Sequence, residues 1–455
     1  MYQFIRTQWN NPQLLSKLLF NQLRIHKYRS TIISTGITST VLCYAVLYTP
    51  YATTSPIGID TNATDTYRLT NTDSPNQSLA ELAKQYIIPD GQLNQQNDMK
   101  LIFTDNDTDP LHKQLEILLR NTQSSIIQQI IDIESNALYN ETEHNVLYDI
   151  YKHDTNNNCT IPSKIDYPTD LVVRSDGSGG GIARVYQNGI IFEKSGVSIS
   201  IANRMINQRF FIDQQNEHSQ LKQLVQSNTI PDTPCPLFTA SMSLVLHPRN
   251  PMCPTVHANY RYFEIKLPDG KQIWWYGGGS DLTPMYLNND DAKHFHVSLK
   301  SALDRTSDTL YTRYKQWCDD YFFISHRNER RGIGGIFFED QHYTDKSTLF
   351  NMISSCCHIF NQSYFPIIQK HKSDTYTYNN YIFQQYRRGR YVEFNLVYDR
   401  GTTYGLTHMP PAMARPDAVL MSLPPTCRFA YNYIAQPDSE EQRTIDVLKK
   451  PIQWI

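Results

Sequence analysis

The chain has 455 residues, 40% of them hydrophobic and 12% aromatic, enough for one large domain or two ordinary ones around a real core. A formal net charge of −2 excludes a nucleic-acid binder held by overall field, so any bound anion must be gripped by a local cluster of Arg or Lys. The 8 cysteines include no Cys-x-x-Cys pair, which argues against zinc ribbons and thioredoxin-type redox and for buried small hydrophobes.

No acidic residue precedes Asp60, while Arg6, Lys17, Arg24, Lys27 and Arg29 lie on or beside an amphipathic stretch, the composition of a mitochondrial presequence. Residues 31–49 are uncharged and long enough to cross a bilayer, though diluted by Ser and Thr. Residues 1–59 therefore read as a presequence with an apolar stop-transfer segment, directing the protein to the intermembrane space or the inner-membrane surface. The rival reading is a secretory signal anchor, which Asn-x-Thr triplets at Asn62, Asn106, Asn140 and Asn158 would suit. Residues 60–108 read as a polar linker, and residues 109–455 as a single catalytic domain.

Along that domain, LHKQLEILLRNTQSSIIQQIIDIE has apolar residues at helical spacing. The run DGSGGG leads into IARVYQNGIIFEK, where Asn188-Gly189 predicts a hairpin. A second hairpin turns at Pro268-Asp269-Gly270. DDAKHFHVSLKSALDRTSDTLYTRYKQWCDDYFF predicts one long helix opened by acidic residues, and STLFNMISSCCHIFNQSYFPIIQKH another. GIFFE and YVEFNLVYDR predict strands, the latter with Val392, Phe394, Leu396 and Tyr398 on one side. Ser439-x-x-Gln442 predicts a capping box for the last helix. Hairpins mixed with long helices, without regular βαβ alternation, predict an α+β fold with a large, mostly antiparallel sheet.

In the strand before Pro268, His257, Asn259 and Arg261 share one face, which continues with Phe263, Ile265 and Leu267. An imidazole, an amide and a guanidinium in one row suggest a polar pocket. The glycines of GGGSD place Asp281 just beyond an expected strand end, a common position for a functional carboxylate. HRNERRG supplies Arg327, Arg330 and Arg331; YRRGRYVEFNLVYDRG supplies Arg387, Arg388, Arg390 and Arg400. Arg390 and Arg400 are in register with the expected strand's apolar row, and Glu393 and Asp399 are candidate internal partners. His247, His257, His296 and His326 lie near these motifs without a metal-binding spacing among them.

The motifs SLVLHPRNPMCPTVHANYRYFE, WWYGGGSDLTPMYL, WCDDYFFISHRNERRGIGGIFFED, RRGRYVEFNLVYDRGT and LMSLPP together resemble oxygen-dependent coproporphyrinogen III oxidases over residues 110–455. The resemblance implies a homodimer, each subunit a broad antiparallel sheet covered by helices on both faces. It implies oxidative decarboxylation of two propionates of coproporphyrinogen III to vinyls, with O₂ as co-substrate and no organic cofactor. His257 matches the family's proton donor. Ser243, Asn259, Tyr260 and Arg261 match substrate-contact positions, and a later contact aligns with Met413, Ala414 and Arg415 within a short insertion at 407–417. Asp281 is a candidate acceptor for pyrrole N–H groups or an assisting base, and Arg327, Arg390 and Arg400 are further anion-binding candidates. Val185–Lys194 and Tyr391–Ala430 correspond to family dimer contacts. The alternatives are a metal-dependent enzyme using His247, His257, His296 and His326, and a non-catalytic tetrapyrrole-binding protein.

Overall fold

A computed structural model describes residues 66–69, 101–137, 169–173, 178–407 and 416–455. The expected presequence and membrane segment lie outside these residues. No helix among the described residues is long and apolar enough to cross a membrane.

The sheet is antiparallel throughout, with strand order β1-β2-β3-β4-β5-β6-β7-β10. Its strands are β1 (Thr66–Leu69), β2 (Thr169–Val173), β3 (Gly179–Gln187), β4 (Phe192–Ile206), β5 (Cys235–Pro248), β6 (Thr255–Lys266), β7 (Gln272–Thr283) and β10 (Gly335–Gln341). A short ribbon, β8 (Phe323–Ile324) with β9 (Glu329–Arg330), stands apart. The helices are α1 (Pro110–Ser135), α2 (Gln208–Gln214), α3 (Ser219–Gln226), α4 (Asn289–Asp304), α5 (Leu310–Tyr321), α6 (Lys346–His371), α7 (Tyr378–Val397), α8 (Arg400–Thr407), α9 (Pro416–Val419) and α10 (Glu440–Lys449). This is the expected α+β architecture.

Both predicted hairpins form. Asn188 adopts φ 62° at the β3–β4 turn, and Gly270 φ 84° at the β6–β7 turn. The first turn is also tied to α1: the buried Glu134 carboxylate accepts from the backbone N–H of Ile190, Ile191 and Phe192. Strand alternation then sorts the core. Val197, Leu244, Ala258 and Ile336 face one side, where α1, α4, α5 and α6 contribute Leu119, Phe295, Tyr314 and Phe360. The other side carries Leu237, Ile265 and Trp275 against Phe211 of α2 and Leu221 of α3. Each fully buried aliphatic or aromatic side chain of this kind contributes about 1.5–3 kcal/mol. Five of the six described cysteines are buried.

Several expectations need correction. The segment from Asp290 to Phe323 forms two helices because 305–309, rich in Ser, Thr and Asp, turns the chain: Thr306 and Ser307 N–H both return to the Leu303 carbonyl. YVEFNLV is not a strand but the end of α7, which starts at a capping box between Thr377 and Asn380. Its aromatic and β-branched residues mimic a strand period, yet a helix turns them to different sides: Phe394 is 0% exposed and Leu396 48%. At α10 the Ser439 hydroxyl accepts from Gln442 N–H, one half of the predicted box. β7 does not end before Asp281 but runs on to Thr283, paired on both sides. Pro366 lies inside α6 without ending it; the carbonyl of Gln362, which Pro366 cannot reach, accepts from His294 Nε2 instead.

Candidate functional site

The sheet register explains the polar row of β6. Directly opposed residues share a face, so Ser198 on β4, Ser243 on β5, Asn259 on β6, Gly279 on β7 and Phe337 on β10 form one transverse row. All five line a cavity of about 230 Å³, flanked by His257 and Arg261 from the neighbouring rows. Its walls include Arg331, Tyr321, Asn395, Asp399 and the segment from Ala418 to Ser422. The glycines keep the floor low. A Cβ on Gly279 would stand 2.5 Å from the Ile336 carbonyl oxygen, while one on Gly278 would point to the core face, 2.8 Å from the Tyr260 ring.

Beside the row, on the same sheet face as His257, Asp281 is 1% exposed and fully engaged. Arg331 Nη2 donates to its two oxygens at 2.9 and 3.0 Å, and His257 Nδ1 lies 2.8 Å from Oδ1. An ionised carboxylate only accepts, so His257 carries its proton on Nδ1 and Nε2 is left for a ligand. Burial would raise the Asp281 carboxyl, but the Arg331 charge and the His257 hydrogen bond outweigh it and hold it below the usual carboxylate range. Arg331 is itself fixed by Asn395 Oδ1 at 2.8 Å and by the rings of Phe322, Tyr391 and Phe394. Arg261 bonds to Glu339, whose charge outweighs burial and raises the guanidinium's pKa. With its side chain 25% exposed, Arg261 still presents donors to the cavity. The cavity is thus lined by two guanidinium groups, an imidazole, an amide whose buried Oδ1 has no partner, three serines and one carboxylate, Asp399.

Ser243, His257, Asn259 and Arg261 therefore come together as the sequence suggested. Asp281 joins them from the same face, covered by His257 and Arg331, and does not itself line the cavity. Tyr260 points the other way: strand alternation buries its side chain in the core face, 1% exposed. The other arginine candidates have internal partners. Arg327 and Arg390 both hold Glu393, and Arg400 holds Glu217; none lines the cavity. Met413, Ala414 and Arg415 lie outside the described residues.

The four histidines do not converge. His247 is buried between Thr255 and the Ser422 carbonyl, His296 between Tyr311 and the Ile333 carbonyl, and His326 meets Glu393 and Tyr398 at the surface. Burial lowers the pKa of His247 far and that of His296 to about 3, which makes both neutral packing groups. The alternative of a metal set built from these four histidines is therefore not favoured, since each has its own partners. Sequence reading passed over Arg331, one of three arginines in HRNERRG. Its signal was the adjoining GIGG, which brings this loop against β7, where Gly335 pairs with Asp281.

The coproporphyrinogen III oxidase family model matches residues 114–454. The mitochondrial oxygen-dependent coproporphyrinogen-III oxidase of Rattus norvegicus is 46% identical over 290 residues, 64% of this chain and 63% of the rat one. The Homo sapiens counterpart is 44% identical over 301 residues, 65% and 64% of the respective chains. Coproporphyrinogen-III oxidase 1, chloroplastic, of Arabidopsis thaliana is 42% identical over 283 residues, 61% and 70%. The chain thus spans just under two thirds of the length of the two mammalian relatives. The family match takes in every residue of the cavity floor and walls, and with it the chain belongs to the coproporphyrinogen III oxidase family.

Proposed function

We propose that the protein uses O₂ to decarboxylate two propionates of coproporphyrinogen III to vinyls, giving protoporphyrinogen IX for haem synthesis. The observation that carries this reading is the transverse row from Ser198 to Phe337, low enough to seat a flat ring and flanked by Arg261 and Arg331. A protein of net charge −2 needs such local cations to hold a polyanion.

The redox balance needs no organic carrier. Each propionate that becomes a vinyl loses CO₂, one proton and two electrons. Two such steps give four electrons, which with four protons, two drawn from solvent, reduce one O₂ to two waters. The pyrrole N–H groups make the ring electron-rich once deprotonated, so the substrate itself reduces O₂. His257, held by Asp281, is placed to pass protons at Nε2. Asp281 acts through His257 and Arg331 as a positioning residue, and Asn259 Oδ1 is free to accept from a pyrrole N–H. Mitochondrial targeting by residues 1–59, with the intermembrane space as destination, fits the naming of the mammalian relatives as mitochondrial. Dimer formation through Val185–Lys194 and Tyr391–Ala430 belongs to the same reading.

Incubating the purified full chain with coproporphyrinogen III under air should generate protoporphyrin fluorescence after oxidation, and none under argon. Substrate binding without product would leave the tetrapyrrole-carrier reading; no effect of the substrate at all would end both.

A further inference from the structure

On the opposite side of the sheet from the cavity, the start of α1 meets the end of β6 in a cluster that the reaction does not use. Three lone-pair donors converge there: His112 Nε2, Glu264 Oε1 and Asp109 Oδ2, all within 4.8 Å of one another. His112 is 2% exposed and Glu264 1%, yet neither of these two facing atoms has a hydrogen-bond partner. They lie 3.7 Å apart, and Asp109 Oδ2 lies 3.9 Å from the same nitrogen. Both separations are too long for hydrogen bonds. They are a few tenths of an ångström wider than the roughly 3.3–3.5 Å between ligand atoms of a tetrahedral ion with bonds of about 2.0–2.2 Å.

The surroundings orient the set for a cation. Asp107 Oδ2 lies 2.7 Å from His112 Nδ1, the carboxylate–histidine pairing that aims Nε2 outward as a ligand. Stacking on Phe238, with ring centroids 3.5 Å apart and planes 8° from parallel, fixes the imidazole plane. Tyr262 and Lys346 bind the other oxygen of Glu264, Oε2, at 2.7 and 2.5 Å and leave Oε1 pointing at the histidine. Lys266 Nζ stands 3.9 Å from Oε1 on a half-exposed side chain that can turn to solvent. Asp109 caps α1 through its other oxygen, Oδ1, so metal binding would not cost the cap.

We propose that His112, Glu264 and Asp109 form a binding site for a zinc-class divalent cation, with water completing the coordination, that clamps the start of α1 to the back of the sheet. One nitrogen and two carboxylate oxygens suit Zn²⁺ or Co²⁺ better than a hard all-oxygen ion. The site is structural, since its ligands sit on the sheet face away from His257.

The test uses the full chain stripped with chelator and titrated with Co²⁺ alone. One equivalent should bind with the visible bands of a four-coordinate nitrogen–oxygen site, and Zn²⁺ should displace it. Asp109→Asn keeps the helix cap and should weaken binding at least tenfold, and Asp107→Asn by about 10–100-fold as an orienting group. Zn²⁺ at a hundredfold excess over the parent's Kd should raise Tm by about 4 °C in the parent chain and by no more than about 2 °C in D109N. Porphyrinogen turnover should persist after stripping, which separates this proposal from the reaction. Absence of Co²⁺ binding, or equal binding by the parent, D109N and His112→Gln chains, would overturn it and leave His112 as a buried imidazolium among carboxylates.

Discussion

Two pairs of arginines look alike in sequence and differ in what they face. Arg331 and Arg261 reach the cavity while anchored by Asp281 and Glu339. Arg387 and Arg388 of α7 are 1% and 0% exposed and held by Glu329 and Glu193. Arg388 also donates to the Pro248 carbonyl at 3.0 Å. The first set positions cations for a ligand; the second spends its charge inside the protein. Unpartnered donors alone do not make an anion grip, since Arg387 Nε and Nη2 also lack partners; what distinguishes Arg261 and Arg331 is that they line the cavity.

The sharpest way to break this contrast is to remove one arginine from each set. Arg331→Ala and Arg388→Ala should each cost about 3–5 kcal/mol in denaturant unfolding, because each takes the nearest cation from a buried carboxylate, leaving Asp281 only His257 and Glu193 only Arg249 at 3.6 Å. Only Arg331→Ala should also abolish turnover in the protein that remains folded; loss of turnover in both would merge the two sets. Replacing His257 with Gln tests the cavity without stranding an internal charge to the same degree. Turnover should fall about 10²–10⁴-fold with little change in KM. Arg261→Met should instead raise KM by about 10–100-fold, the loss of one charge-assisted contact to a carboxylate.

Acid sharpens the comparison further. Asp281 and Glu393 both have lowered folded pKa values, that of Glu393 about 2 through Arg327 and His326, which outweigh its burial. Each therefore contributes stability at pH above the unfolded carboxyl's value of about 4, and loses it as pH falls through the folded value. Unfolding free energy should drop between about pH 4 and pH 2, and Glu393→Gln should flatten that slope. An unchanged slope would mean that the Glu393 network contributes nothing on folding. The smallest effect belongs to Arg327→Ala, about 0.2–1 kcal/mol, since that side chain is 41% exposed.

Strand parity and turn chemistry made much of the site legible beforehand. His257, Asn259 and Arg261 needed only a period of two, and Asn188 and Gly270 marked the hairpins that set their register. The same reasoning failed at Val392–Tyr398, where apolar residues two apart imitated a strand inside a helix; the capping box at Thr377 lay 15 residues upstream of Val392. Register between strands not joined by a hairpin was not legible. Nothing in the order of residues says that Ser198 meets Ser243 or that Gly335 meets Asp281, because those pairings depend on connections of several turns and helices between them. Arg331 was hidden for the same reason, since it reaches the site through a loop that folds back on β7.

The bare glycine stretch of β7 carries an evolutionary implication. Where a pocket's bottom is peptide backbone, there is no side chain left to trim, and adding even a methyl collides with an adjacent strand's carbonyl oxygen. Depth is therefore frozen, and variants that accept different porphyrinogens would have to arise from changes along the rim.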